Sequence, residues 1–319
     1  MILRLKMKRL LFLLIASFSI VFSSNAQEYI ELGYNFQKGW EFELKQESKN
    51  ESYVTVNDIM NRTTRDFNNT LAFTISDAGP NHFTLQFQYK ELLFIFNASN
   101  RNIVVDAKKD DPKEPLQKAL NILLDQTFTV DIDGSGYIKQ VSGLEYALKA
   151  CEVAFKDLKE NEQAAYRKIL ADQFGTDAFR SWLEQLLVIY QSHAIKTGTQ
   201  WDESVPLRTG LIGRIDLYWN LQHWDSQTAK IAGTGNIKTD KLETFTVEEG
   251  IQATAEITGT VQSNYLIDRE TGLPRICVQN TEMNGKYIYK ANKKKRIKKD
   301  IEVPVRIVNN ASYKIKRYK

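Results

Sequence analysis

The sequence predicts an α+β protein: mainly an antiparallel β sheet or open half-barrel, covered by a central three-helix block. Along most of the chain apolar and polar residues alternate, as in strands with one buried face. Residues 143–195 instead follow the period of amphipathic helices. Strand patterns lie on both sides of this stretch. We therefore expect a single β-rich domain over residues 27–289, with residues 143–195 as a helical insertion.

The first strands are predicted from apolar residues at every second position. Leu32, Tyr34 and Phe36 predict one strand. The turn Lys38-Gly39 separates it from a second strand, which begins at Trp40. The same alternation predicts later strands at Leu71, Phe73 and Ile75 and at Phe83, Leu85, Phe87 and Tyr89. Each strand is expected to bury one face.

The middle of the chain predicts a short helix, a hairpin and then the helical block. The short helix has Leu116, Leu120 and Leu123 on one side. The hairpin pairs residues 128–132 with residues 137–141. The block divides into three apolar stripes, which are Leu144, Leu148, Cys151, Phe155 and Leu158; then Tyr166, Ile169, Leu170 and Phe174; then Phe179, Trp182, Leu183, Leu186, Leu187 and Tyr190. Asn161 is the expected N-cap of the second helix.

Strand patterns resume after Thr197-Gly198-Thr199 and continue to the end of the expected domain. Ile215, Leu217, Trp219 and Leu221 share one face. Asn284-Gly285 is a dipeptide typical of two-residue hairpins, and it predicts a turn between residues 279–283 and 286–289.

The first 26 residues have the pattern of a secretory signal peptide. Four basic residues precede an apolar run over residues 10–22, and Ser24-Asn25-Ala26 fits a cleavage site before Gln27. The apolar run is short for a membrane span, so an anchor is the weaker interpretation. We expect an exported protein that is periplasmic or extracellular after cleavage near Ala26.

Charge is distributed unevenly along the mature chain. Residues 290–319 contain 12 Lys and Arg residues against Asp300 and Glu302. Residues 27–289 then hold 27 basic and 37 acidic residues, a net charge of −10. We therefore expect a basic C-terminal segment, residues 290–319, after an acidic domain.

No pattern in the sequence predicts catalysis, a cofactor or a metal. Asp131, Asp133 and Ser135 match the start of an EF-hand loop, but position 12 would be Ser142 instead of Glu, so a hairpin turn is favoured. The three histidines have no metal-type spacing with Cys, Asp or Glu. Cys151 and Cys277 are expected to be buried free thiols, with a disulfide as the alternative. We expect a protein that is not an enzyme.

The aromatic content suggests a ligand site between the sheet and the helices. The sequence contains 16 Phe, 14 Tyr and 5 Trp residues, most of them at positions predicted to face inward. Core packing is the favoured explanation for any single ring. Together they could line an apolar pocket. The candidate ligand-binding residues are Phe155, Phe174, Trp182, Leu186, Tyr190 and Trp219.

A basic run supplies a second candidate site, for contact with an anionic surface. Its residues are Lys293, Lys294, Lys295, Arg296, Lys298 and Lys299. A solvated charged end is the alternative explanation. Nucleic acid is not expected as a partner of an exported protein.

Several short motifs resemble an uncharacterised family of exported or lipoprotein-type proteins of the Bacteroidota. They are Asn25-Ala26-Gln27, the hairpin and helix start over residues 128–144, Gly198-Thr199-Gln200-Trp201, and Asp268-x-x-Thr271-Gly272-Leu273-Pro274. The absence of a lipobox cysteine departs from the lipoprotein members. The architecture also looks like the lipoprotein-carrier half-barrel, with helices in its mouth. This resemblance implies an acyl chain or similar apolar ligand and no catalytic residue.

Three functional hypotheses follow. The first is a non-catalytic envelope protein that binds a lipid or other hydrophobic small molecule. The second is an interaction or scaffold protein that contacts another envelope protein or an anionic surface. The third and least favoured is a hydrolase with an unrecognised site.

Overall fold

The fold was analysed in a computed structural model that describes residues 28–99, 101–109, 114–207, 211–248 and 251–318. The signal peptide predicted over residues 1–26 lies outside this range. Within it, thirteen β strands form one antiparallel sheet. The strands are β1 Glu41–Val56, β2 Ile59–Gly79, β3 His82–Ala98, β4 Arg101–Asp106, β5 Thr127–Ile132, β6 Ile138–Ser142, β7 Gln200–Leu207, β8 Gly213–Trp224, β9 Thr228–Thr239, β10 Phe245–Glu248, β11 Ile251–Asp268, β12 Pro274–Tyr289 and β13 Ile301–Arg317.

The sheet is open, which confirms the predicted fold class. Its strand order is β6-β5-β3-β2-β1-β13-β12-β11-β9-β8-β7, with β4 beside β3 and β10 beside β11. Strand β2 is the longest, with 21 residues, or about 70 Å at the usual rise of a strand. The two halves of the sheet meet where β1 pairs with β13.

Helices occur in the middle of the chain, where the sequence predicts them. They are α1 Pro115–Leu124, α2 Leu144–Cys151, α3 Glu160–Phe174 and α4 Thr176–Leu186, with a 3-10 turn at Glu152–Phe155. Pro115 starts α1 at a position where its missing N–H costs nothing, and the Glu114 side chain accepts from Leu116 N–H. Leu116, Leu120 and Leu123 are fully buried, as predicted. None of the described helices is long and apolar enough to cross a bilayer.

The two faces of the sheet differ in polarity, as the alternation predicts. We call the face that packs against the helices the inner face. On β1 it carries Phe42 and Leu44, which are buried, whereas Lys45 and Glu47 on the other face are exposed. Cross-strand register extends this face over the whole sheet, since Leu44 lies opposite Ile315.

Several predicted boundaries were wrong, and each has a physical reason. Residues 32–36 alternate but form no ladder, because the Tyr34 N–H bonds to Gly134 and the Asn35 N–H bonds to Thr271, both in loops. Helix α3 begins at Glu160, one residue before the predicted cap Asn161. The third predicted helix ends at Leu186 instead of Tyr190.

The hairpin predicted at Asn284-Gly285 is also wrong, since both residues lie inside β12. A Cβ atom at Gly285 would come within 2.1 Å of the Glu256 carbonyl oxygen on β11. The glycine therefore serves a close approach between neighbouring strands, and not a turn.

The basic C-terminal segment, residues 290–319, divides into two parts. Residues 290–300 form the loop between β12 and β13. Strand β13 then lies between β1 and β12, with Val303, Val305, Ala311 and Tyr313 buried on the inner face. The loop carries the predicted basic run, whereas β13 places exposed basic side chains such as Lys314 and Lys316 on the outer face.

Both cysteines are free and buried. Cys151 donates a hydrogen bond to the Ala147 carbonyl at 3.2 Å. Burial raises the pKa of each thiol to about 12, because the protein interior disfavours the thiolate.

The thiols should accordingly be inert in the folded protein. The thiolate is the reactive form, and a pKa of about 12 leaves almost none of it at pH 8. We expect no labelling by a maleimide or by Ellman's reagent under native conditions, and two equivalents after denaturation in urea. Rapid native labelling of either residue would contradict the burial described here.

Candidate functional site

The six ligand-site residues predicted from the sequence lie on or next to the helical block and on β8. Five of them are almost fully buried: Phe155, Phe174, Leu186, Tyr190 and Trp219. Trp182 is half-buried. All six belong to the main hydrophobic cluster or pack against it. Their part in ligand binding stays a prediction.

Protein rings surround the aromatic members of this set. The Phe174 ring lies 6.0 Å from Phe67 on β2 and 5.8 Å from Phe94 on β3, centroid to centroid. The Trp182 ring is stacked on Tyr313 of β13 at 6.0 Å. These contacts fasten α3 and α4 to the inner face, because edge and stacked ring pairs add to the free energy of burial.

A buried extended segment, residues 187–190, holds the end of the helical block to the sheet. The Tyr34 hydroxyl donates to the Val188 carbonyl at 3.2 Å and accepts from the Val188 N–H at 3.0 Å. The Trp201 indole N–H donates to Ile189 at 2.8 Å, and the Tyr190 hydroxyl donates to Gly272 at 2.7 Å. Side chains thus satisfy backbone groups that no ladder pairs.

The inner face of β1 changes from apolar to polar after Leu44, and the first two polar rows also contain Tyr313 and Phe67, which contact the helices. Gln46, Ser48, Asn50 and Ser52 occupy four successive inner-face positions, after Leu44 and before Val54. Neighbouring strands continue the change at residues opposite these positions. We call this set the polar band: Gln46, Ser48, Asn50, Ser52, Thr63, Arg65, Asn69, Ser263, Gln279, Thr281 and Asn309.

Two amides of the polar band are buried with an acceptor atom that lacks a partner. Asn69 is 3% exposed, and its Nδ2 donates to Gln46 Oε1 at 3.1 Å while its Oδ1 has no hydrogen bond. Gln279 is 2% exposed, and its Oε1 has none. A buried acceptor without a donor costs about 1–3 kcal/mol. Such a cost favours the entry of a hydrogen-bond donor.

Arg65 is the cation of the polar band. It lies on β2 between Phe96 and Asn50 in the same cross-strand row. Its guanidinium carbon is 5.9 Å from the Phe96 ring centroid, and its Nη1 is 3.5 Å from Asn50 Oδ1. Desolvation lowers the pKa of Arg65 from its ordinary value. No carboxylate of a described residue lies within ion-pair distance of Arg65.

Beyond the polar band the inner face becomes apolar again. A second hydrophobic cluster contains the buried residues Leu211, Ala255, Ile257, Val305 and Ile307 and the half-buried residues Val54, Leu207, Phe245, Met283 and Tyr287. It includes no helical residue. The inner face therefore presents two apolar regions with the polar band between them on β1, while Leu207 and Met283 pack against both clusters.

The basic run forms an ordered exposed loop at the same end of the sheet as the second cluster. Asn292 and Ile297 bond to each other in both directions, N–H to carbonyl, at 2.9 and 3.0 Å. All six basic side chains between residues 293 and 299 are exposed, and none pairs with a described carboxylate.

The tip of the β1–β2 hairpin lies next to this loop, because β1 and β13 are paired neighbours. Asn57 and Asp58 make the turn with φ of 49° and 61°. Ile59 and Met60 beside it are 66% and 65% exposed. One end of the protein thus combines exposed apolar side chains with unpaired positive charge.

Asp133, from the stretch that matches the start of an EF-hand loop, has both carboxylate oxygens occupied by partners within its hairpin. Asp133 Oδ1 accepts from the N–H groups of Ser135, Gly136 and Tyr137, each at 3.0 Å, and Oδ2 lies 2.7 Å from Lys139 Nζ. The Lys139 pair and these backbone donors lower the pKa of Asp133 against the effect of burial. The described residues include no group of three metal-ligating side chains.

Sequence reasoning missed Arg65 and the polar band. The available signal was the run of polar residues at every second position of β1, between Leu44 and Val54. This run has the period of a strand but the wrong polarity for a core face.

The fold and the inner face define a class of protein: a large open antiparallel sheet whose inner face is partly covered by helices. The chain belongs to a family of unknown function, DUF6263, whose model matches residues 80–274. A search of curated protein sequences gave no match.

Comparison with solved structures gave only low scores. An outer membrane channel from Pseudomonas putida F1 is 6% identical, with a TM-score of 0.22, over 89% of this chain and 97% of that one. OccK5 (OpdH) of Pseudomonas aeruginosa is 8% identical, with a TM-score of 0.21, over 85% and 97% of the two chains. OpdQ of the same species is 8% identical, with a TM-score of 0.19, over 89% and 100%. Scores this low do not establish a shared fold.

Removal of the Tyr34 hydroxyl should weaken the attachment of the helical block. Tyr34→Phe leaves the Val188 N–H and carbonyl without their partner, so we expect the free energy of unfolding to fall by about 1–3 kcal/mol. Urea denaturation followed by circular dichroism measures it. Tyr146→Phe is the matched control, since Tyr146 is 82% exposed and should change stability by less than about 0.5 kcal/mol. Equal effects of the two substitutions would contradict this role.

Proposed function

We propose that this protein is a non-catalytic, exported envelope protein that binds an acyl chain or similar hydrophobic ligand on the inner face of its sheet. The observation that carries the proposal is the second hydrophobic cluster. Its half-buried side chains, among them Val54, Met283 and Tyr287, face inward in a cluster that includes no helical residue. Part-exposed apolar surface of this kind favours a ligand, because binding removes it from water.

The position of the cluster also supports a ligand that enters from one end. The helical block packs against the rows of Phe67, Tyr313 and Tyr265, whereas the second cluster lies further along the same strands. A ligand there would extend the apolar filling of the half-barrel. The resemblance to exported proteins of the Bacteroidota fits a carrier or binding role in the cell envelope.

The ligand-binding proposal can be tested with cis-parinaric acid, whose fluorescence rises in apolar surroundings. Tyr287→Ala removes half-buried aromatic surface from the second cluster, and we expect binding to weaken about tenfold, the equivalent of about 1.4 kcal/mol. Tyr218→Ala is the control, because Tyr218 lies on the outer face of β8 and is 50% exposed. Its affinity should equal that of the wild type.

The same assay separates the two candidate ligand sites. Trp182→Phe alters the ring stacked on Tyr313 but leaves the second cluster intact. If it weakens binding and Tyr287→Ala does not, the ligand lies under the helices. If the wild type gives no fluorescence change and no co-purifying ligand by native mass spectrometry, the proposed function is wrong.

The exposed end of the sheet supports a second candidate function, contact with an anionic surface. The observation in its favour is that six unpaired basic side chains adjoin the exposed pair Ile59 and Met60. Positive charge attracts an anionic lipid surface, and exposed apolar side chains insert at its boundary.

We expect vesicles rich in phosphatidylglycerol, but not phosphatidylcholine vesicles, to bind the protein in a salt-sensitive way. Changing Lys294, Lys295, Arg296 and Lys298 to Gln should weaken this binding at least about a hundredfold, since each basic residue contributes about 1 kcal/mol near such a surface. The control changes Lys230, Lys238, Lys314 and Lys316 to Gln, all exposed on the outer face. If both variants lose vesicle binding equally, the binding depends on the net charge of the protein and not on the basic loop.

A further inference from the structure

Arg65 is a cation that the described chain does not neutralise. It projects from the inner face of β2, where it is largely desolvated, and among the described residues its guanidinium donates to Asn50 Oδ1, 3.5 Å from Nη1. Asp172, near the end of α3, acts on Arg65 only at a distance and lies 2.8 Å from Lys168 Nζ. A mostly buried charge without a counter-ion is costly, so it favours an anion from outside the chain.

The surroundings of Arg65 are those of a head-group site. On one side it adjoins Phe96, and its cross-strand row continues through Asn50, Asn309 and Thr281. On the other side the second hydrophobic cluster begins, since Ser52 in the next row lies opposite Ile307. One cation and several neutral polar groups thus share a row of the sheet, and an apolar surface begins in the next row.

Two orphaned acceptors show that the polar groups of the band are not all satisfied within the described chain. Asn69 and Gln279 are more than nine-tenths buried, and each has a side-chain oxygen without a donor. Both lie on the inner face, in rows on the helix side of the row of Arg65. These oxygens require a hydrogen-bond donor, and the requirement for an anion comes from Arg65 alone.

We propose that Arg65 is the anion subsite of the inner face and binds the carboxylate or phosphate head of an acyl-chain ligand. The planar guanidinium donates paired hydrogen bonds to two oxygens of the head group. The chain of the ligand lies on the second cluster, towards Met283 and Tyr287. This inference rests on the proposed function and adds the charge class of the ligand.

The test compares ligands that share a chain and differ in the head. Oleate, oleoyl lysophosphatidate and the neutral oleyl alcohol are titrated by isothermal calorimetry into the wild type and into Arg65→Met. We expect Arg65→Met to bind both anions at least tenfold more weakly and oleyl alcohol within twofold of the wild type. The stronger of the two anions in the wild type identifies the head group as carboxylate or phosphate.

A second variant tests anion binding at Arg65 without replacing the arginine. Asn50→Asp places a carboxylate beside the guanidinium, at the position where Asn50 Oδ1 now lies 3.5 Å from Nη1. It should form an internal ion pair and compete with the ligand anion, with the same loss of oleate binding and no loss for oleyl alcohol. The control Arg62→Met removes an arginine from the outer face of the same strand, where it pairs with Glu51 at 3.0 Å, and should change neither ligand.

The outcomes separate this inference from the proposed function. Unchanged oleate binding in Arg65→Met and in Asn50→Asp overturns the anion subsite, while the acyl-chain site stands. Equal loss of oleate and oleyl alcohol in both variants assigns Arg65 a structural role, and also overturns it. If neither oleate nor oleyl alcohol binds the wild type, the proposed function fails and the subsite fails with it.

Discussion

The inner face of the sheet is longer than the helical block that packs on it, and the other features of the molecule follow from this mismatch. Strands of 16 to 21 residues extend the inner face well beyond the rows that contact α3 and α4. Rings such as Phe174 and Trp182 fill the part beneath the helices. The remaining part must be filled by its own side chains or by a molecule that the chain does not supply.

The polar band makes part of this longer inner face polar instead of apolar. An uninterrupted apolar inner face would accept a hydrocarbon of any kind, or would simply close on itself. Under the proposed function, placing Arg65 and Asn50 between two apolar clusters would make the face selective, because polar and charged groups lose more on burial than they gain unless a partner is present. Such selectivity would come from the free-energy cost of a buried polar group without a partner. The residues that provide it belong to the sheet and not to the helices.

Much of the fold was predictable from sequence, but the candidate site was not. Strict alternation located the strands, and the stripe from Phe179 to Leu186 located α4, because one-sided burial imposes a clear period. Residues 187–190 extended that stripe falsely, since a buried extended segment is as apolar as a helix. Gly285 resembled a turn residue because glycine also serves close strand contact. Arg65 gave no signal of its own, since its role depends on Asn50 and Phe96 on the neighbouring strands and on the absence of a described counter-ion, neither of which a single sequence shows.

The pairing of β1 with β13 has a consequence for how the protein is made. The two strands are about as distant in sequence as any in the sheet, yet they form the seam that joins its two halves. Each half can assemble from local hairpins, but the inner face is complete only when the last strand arrives. Pairing between such distant strands is slow, because loop entropy is lost before the contacts form. Until then β1 presents an open edge, at which the nascent chain is exposed to premature pairing with other chains.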